Sequence, residues 1–124
     1  YSLKSGAVAT SVAHDSHNII TVGCNDDDIA VAVNAIKDSK GGIAVVENGK
    51  IKALLELPIA GLMSDEPLTT VNEKLENAKL SAYELGADKS IDPFMTISFL
   101  SLPVIPSLRI TTKGVFDAEN WKML

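Results

Sequence analysis

Read for hydrophobic and polar alternation, the chain opens with two β-type runs over about residues 6–23. They are Ala7-Val8-Ala9-Thr10-Ser11-Val12-Ala13 and Ile19-Ile20-Thr21-Val22, joined through the polar pentapeptide His14-Asp15-Ser16-His17-Asn18. Asn25-Asp26-Asp27-Asp28 then marks a helix start, since such side chains accept from unpaired amides and acids oppose the positive end of the helix dipole. Ile29, Val33 and Ile36 recur at spacings of four and three and share one helical face, with Ala30, Ala32 and Ala35 allowing close packing on a sheet. Lys37 and Lys40 lie near the end of this helix, which Gly41-Gly42 is expected to stop.

Ile43-Ala44-Val45-Val46 is a continuous apolar run of the kind found in buried strands. Asn48-Gly49 after it is a strong hairpin signal, with Ile51-Lys52-Ala53-Leu54-Leu55-Glu56-Leu57 as the returning strand. Pro58 ends that strand, and Ile59-Ala60-Gly61-Leu62-Met63-Ser64-Asp65 follows as an apolar connection that needs cover from another surface. A second helix is written in the stripe Leu68, Val71, Leu75, Ala78, Ala82 and Leu85. Pro67 suits its first position, or Thr70 and Glu73 form a capping box one turn later; Gly86 ends it. In residues 94–106, Thr96, Ser98 and Ser101 interrupt an apolar tract, and strand and short helix both remain open. Leu108-Arg109-Ile110-Thr111 and Gly114-Val115-Phe116-Asp117 read as edge strands about a turn at Lys113-Gly114. The expectation is one domain over residues 1–124, α/β in class with α+β also open: a mixed sheet of about four to six strands carrying two principal helices.

Composition narrows the function classes. With 124 residues, 46% apolar and 22% charged, the chain can bury a core and is not a disordered segment. A net charge of −5 offers no basic surface for a phosphate backbone, so no nucleic-acid partner is expected. The single cysteine, Cys24, excludes an internal disulfide and reads as a small buried hydrophobe; a reducing, cytoplasmic setting is expected. No secretory leader is expected after Tyr1-Ser2-Leu3-Lys4, and no membrane partner either. The most apolar tract, residues 94–108, falls short of the roughly 20 residues a bilayer span needs and contains Pro103 and Pro106.

Both histidines of the chain lie in His14-Asp15-Ser16-His17-Asn18, and four readings of that cluster stand. As a metal site it offers two imidazoles and a carboxylate, but residues three apart project to opposite faces of a strand, and no second His or Cys cluster completes the sphere. As a Ser-His-Asp hydrolase it has the residue types without a Gly-x-Ser-x-Gly elbow. As a structural turn its polar side chains would satisfy backbone groups at strand ends. As part of an active site whose main body lies elsewhere, it would add polar groups to a pocket. Asp26-Asp27-Asp28 lacks calcium-loop spacing and Gly41-Gly42 lacks the rest of a phosphate loop. Ser64 and Asp65 either line a pocket or begin the second helix, the second being the more economical use of capping residues.

Three segments taken together resemble the C-terminal domain of bacterial adenine deaminase, in the amidohydrolase superfamily. They are Val12-Ala13-His14-Asp15-Ser16-His17-Asn18-Ile19, then Leu57-Pro58-Ile59-Ala60-Gly61-Leu62-Met63-Ser64-Asp65, then Asp92-Pro93-Phe94-Met95-Thr96-Ile97-Ser98-Phe99-Leu100-Ser101-Leu102-Pro103-Val104-Ile105-Pro106. The resemblance implies an enzyme that hydrolyses adenine to hypoxanthine and ammonia in purine salvage. Its (β/α)8 barrel would hold a divalent metal (manganese, iron or zinc) that activates water. The barrel's His-x-His and other metal ligands lie upstream in that family, so no metal or other cofactor is expected within this chain, which alone should be inactive. The implied role is to pack on the barrel of the same enzyme through residues 59–63 and 94–106, and to help close the pocket over adenine. His14, Asp15, Ser16 and His17 are the candidates for reaching the purine by hydrogen bonding or proton relay, Ser64 and Asp65 weaker candidates for binding it. A homo-oligomer is expected of the full-length enzyme. The His-x-Glu and Pro-Cys-x-x-Cys signature of another zinc-deaminase class is missing. The alternative is a free-standing, non-catalytic α/β module that binds a small molecule or a partner.

Overall fold

A computed structural model describes residues 1–13 and 15–124; His14 lies outside the described residues. The order is β1 (Ala7–Thr10), β2 (Ile20–Gly23), α1 (Asp26–Asp38), β3 (Gly42–Glu47), β4 (Lys50–Glu56), α2 (Leu68–Glu84), α3 (Pro93–Ser98), a 3-10 turn (Phe99–Ser101), β5 (Leu108–Thr111), β6 (Gly114–Asp117) and β7 (Lys122–Met123). The first four strands form a sheet in the order β2-β1-β3-β4, and every neighbour in it runs antiparallel. A sheet of four strands with two principal helices lies within the expected mixed sheet of about four to six strands, and all of its pairs are antiparallel. Instead of extending the first sheet, β5, β6 and β7 pair with one another in a second sheet, because a hairpin turn at Thr112-Lys113 closes at little entropic cost.

Helices cover both faces of the larger sheet, and the two faces differ in side-chain size. Ala7, Ala9, Ala44 and Val46 meet Ala32, Ala35 and Ile36 of α1. The opposite face sends Val8, Ile43, Val45, Ala53 and Leu55 against Ala78 and Ala82 of α2, Leu85 at its end, and Phe94 and Ile97 of α3. The buried stripe of α1 is therefore centred on its alanines, with Ile29 and Val33 only half-buried, since small residues on both sides let the backbones approach. In α2 the stripe begins at Val71, and Leu68 is 83% exposed.

Local signals fix the ends. The Asn25 side chain caps α1 by accepting from the Asp28 amide at 2.8 Å. Asp28 itself is buried: its carboxylate accepts from the Gly49 amide at 2.7 Å and the Asn25 side chain at 2.8 Å, tying the helix start to the β3–β4 turn. The Gly49 amide, and next the Asn25 side chain, hold that carboxyl below the usual range against the opposing pull of burial. Asn48 and Gly49 take φ of 53° and 71°, as a type I′ hairpin turn demands. The expected stop at Gly41-Gly42 is corrected by one residue: Lys40 adopts the left-handed conformation (φ 60°), and the Gly41 amide reaches back to the Ile36 carbonyl at 2.8 Å. The Thr70–Glu73 capping box does not form, because the helix has begun by Leu68 after Pro67.

The ambiguous tract resolves as helix because Asp92 precedes Pro93. Its carboxylate accepts from the Phe94 and Met95 amides, both at 2.9 Å, and proline fills the first turn, where no amide is needed. Burial works against the charged form of Asp92, but the Met95 and Phe94 amides and the Lys79 ammonium 3.3 Å away outweigh it, so its carboxyl lies below the usual range. Asp92→Ala should cost about 1 kcal/mol and lower the midpoint of thermal unfolding by about 3–5 °C. A carboxyl depressed in the folded state stabilises fully above its unfolded value, about 3.9, and loses that contribution as pH falls through the folded value. Melting curves of wild type and variant should thus differ by a constant gap from about pH 5 to 8 that closes on further acidification. A gap that widened in acid would overturn the assignment.

Candidate functional site

The site lies where β1 ends and the chain turns toward β2. Thr10 is the last strand residue, and its hydroxyl accepts from the Val12 amide at 3.0 Å. Ser11 follows, buried, and joins three segments: its hydroxyl accepts from the Gly42 amide at 2.8 Å and lies 2.6 Å from the Gly61 carbonyl, to which it donates. Gly41 admits this junction, because a Cβ there would stand 2.2 Å from the Gly61 Cα and 2.8 Å from the Leu57 carbonyl oxygen. The connection after β4 is thereby seated beside the β1–β2 loop. It closes on itself through an Ile59–Met63 bridge and leaves both of these side chains exposed, at 45% and 57%.

Within the loop the His17 amide donates to the Ala13 carbonyl at 3.1 Å. Asp15 and His17 both take left-handed backbone conformations, with φ of 61° and 45°. The Ser16 hydroxyl donates to the Asn18 side-chain oxygen at 2.9 Å and lies 3.2 Å from the hydroxyl of Ser101. Asp15, Ser16 and His17 are all exposed.

Two clefts flank His17. One, of about 240 Å³, is lined by Val12, Ala13, Asp15, His17, Met95 and Ser98. The other, of about 270 Å³, is lined by Ser11, His17, Ile19, Ile36, Lys37, Lys40, Gly41, Pro58, Ala60 and Gly61. The first presents a carboxylate and an imidazole in otherwise apolar surroundings, a combination suited to hydrogen bonding and proton transfer with a flat, partly apolar ligand. At about 240 Å³ it falls below the usual 300–1,000 Å³ of a ligand pocket.

The structure brings Asp15 and His17 together at one cleft and turns Ser16 toward Asn18 and Ser101. Ser64 and Asp65 line a different cleft with Ser39, Glu56, Pro58 and Glu66, and Ser64 accepts from the Glu66 amide at 3.2 Å in a local turn before α2. Among the described residues no three His, Cys, Asp or Glu side chains come together as a metal ion would require. Sequence reasoning did not assign Ser11, Met95 or Ser98 to this site; the signal for the serines was hydroxyls in otherwise apolar runs. Among the described residues, no helix is long and apolar enough to cross a membrane.

A family profile described as the adenine deaminase C-terminal domain matches residues 1–122. The chain belongs to that family. It is 49% identical over its full length to adenine deaminase of Bacillus pumilus, of which it covers 22%. It is 52% identical over its full length to that of Clostridium acetobutylicum, again covering 22%. It is 54% identical over 96% of its length to that of Desulfatibacillum aliphaticivorans, covering 21%. The chain thus spans about a fifth of the length of these relatives.

Ser11 is the testable joint of this adenine deaminase C-terminal domain. Ser11→Ala leaves the Gly42 amide without its acceptor and should cost about 1–3 kcal/mol, read by urea denaturation. Hydrogen exchange of the Gly42 amide should quicken at the same time. Unchanged stability together with unchanged Gly42 exchange would remove Ser11 from its role.

Proposed function

We propose that this domain is the accessory part of an enzyme that hydrolyses adenine to hypoxanthine and ammonia, and that its His17 end packs against the catalytic barrel and closes one side of the purine pocket. The observation that carries the reading is convergence. The loop at residues 12–19, the connection at 58–61 and the tract at 95–98 line the two clefts that meet at His17. Ile19, Ile59, Met63, Met95, Phe99 and Leu100, in these segments or within a few residues of them, are exposed. A free-standing module would be expected to cover such surface, whereas a domain with a missing neighbour would present it.

In this reading Val12, Ala13 and Met95 shield one face of the ring from water, and the His17 imidazole meets a polar edge. A neutral imidazole donates through one nitrogen and accepts through the other, so it can pair with a heteroaromatic edge or pass a proton across. Asp15, on the same cleft, is placed to orient that edge. Among the described residues, Asp15 and His17 line the cleft and no third metal-ligating side chain joins them. The metal chemistry of such an enzyme is assigned to the barrel, and no step through a metal is derived from this chain.

The test is His17→Ala in the full-length enzyme, with adenine turnover followed by ultraviolet absorbance. The expected result is a fall in kcat/KM of about 10²-fold, the lower end of what a positioned acid–base group supplies. Unchanged kcat/KM would sink the active-site role. The 124-residue chain alone should not turn over adenine even with added manganese, and a mixture with the folded, metal-loaded barrel fragment should regain activity.

A further inference from the structure

We propose that Ser101 and Asn18 are positioning residues that hold the His17 loop in its working conformation, an inference that rests on the reading of His17 just given. The loop at residues 15–17 carries two non-glycine left-handed residues, Asp15 and His17, a backbone state uncommon outside glycine. What restrains it comes from 83 residues away. The Ser101 hydroxyl, on the 3-10 turn after α3, donates to the Asn18 side-chain oxygen at 3.3 Å and lies 3.2 Å from the Ser16 hydroxyl. Ser16 donates to the same Asn18 oxygen at 2.9 Å. Two hydroxyl protons and three oxygens form a closed triangle, in which Asn18 accepts from both serines or one serine donates to the other.

Ser101 is 5% exposed, and its hydroxyl finds its partners in the loop. Ser98, one turn earlier, shows the alternative: its hydroxyl bonds back to the Met95 carbonyl of its own helix at 2.6 Å. Ser101 makes its contacts outward, across to the neighbouring residues on either side of His17. The same turn carries the tract that contributes Met95 and Ser98 to the cleft. The triangle therefore fixes the imidazole relative to the cleft's opposite wall. Positioning of this kind is worth much in catalysis, since a displacement of about 1 Å can cost about 10²-fold in rate.

The experiment uses the full-length adenine deaminase that carries this domain, with kcat and KM for adenine measured for Ser101→Ala, Ser101→Thr, His17→Ala and the Ser101→Ala/His17→Ala pair. Ser101→Ala should lower kcat by about tenfold with KM within about twofold. Ser101→Thr, which keeps the hydroxyl, should restore most of the loss. In the His17→Ala background, Ser101→Ala should add nothing further, because it acts through His17. If Ser101→Ala does not fold, Ser101→Cys keeps the volume with a weak donor and reads the same quantity. Full activity of Ser101→Ala, or a loss that multiplies with that of His17→Ala, overturns the proposal. A silent His17→Ala overturns the underlying reading of the cleft instead, so the two failures are distinguishable.

Discussion

The register of β1 is the constraint on which the rest of the molecule depends. All four of its residues are buried, with β2 on one side and β3 on the other. The pleat sends Ala7 and Ala9 to the α1 face and Val8 to the face covered by α2 and α3. A slip by one residue would press a valine into a layer built of alanines and leave alanines opposite Val45, Leu55 and Leu85, overpacking one side and hollowing the other. It would also carry Ser11 away from the Gly42 amide and the Gly61 carbonyl. Core packing and site geometry are thus one requirement, stated twice by the same strand.

What could be read from the sequence was what is decided locally. The start of α1 at Asn25, the Asn48-Gly49 turn and the end of α2 at Gly86 each follow from a residue whose backbone or capping chemistry has one good use. What could not be read was decided by contacts distant in sequence. Asp28 looks like an ordinary helix-start acid, yet its carboxylate is committed to an amide 21 residues on. The tail read as two strands about a turn, but not as a sheet of its own apart from the main one. Even the helix at Pro93–Ser98 was obscured by Thr96 and Ser98, which broke the apolar period while Asp92 held the decisive cap.

The candidate site divides the same way. Asp15 and His17 stood out in the sequence as a carboxylate and an imidazole between two apolar runs, and they line one cleft. Met95 and Ser98 did not stand out, because the cleft joins segments about 80 residues apart in sequence, and only the packing of α3 on the sheet brings them opposite the loop. Ser64 and Asp65 show the converse. Their residue types suit a pocket, but the chain places them in a separate acidic cleft where Ser64 serves a local turn.

Between a structural turn and a functional one, the backbone of the loop does not choose. Asp15 and His17 take left-handed conformations, with φ of 61° and 45°, but aspartate and histidine, like asparagine, are the side chains enriched there. Ser2, Lys40, Ala60 and Trp121 enter the same region elsewhere in the chain, Lys40 simply where α1 ends. What sets the β1–β2 loop apart is its anchorage. Ser16 and Asn18, on either side of His17, both meet the Ser101 hydroxyl from beyond α3, whereas a turn such as Asn48-Gly49 needs only its own two residues to close. A tie of that range couples the loop to the same tract that supplies Met95 and Ser98 to the cleft, so the loop and the opposite wall keep one relative position.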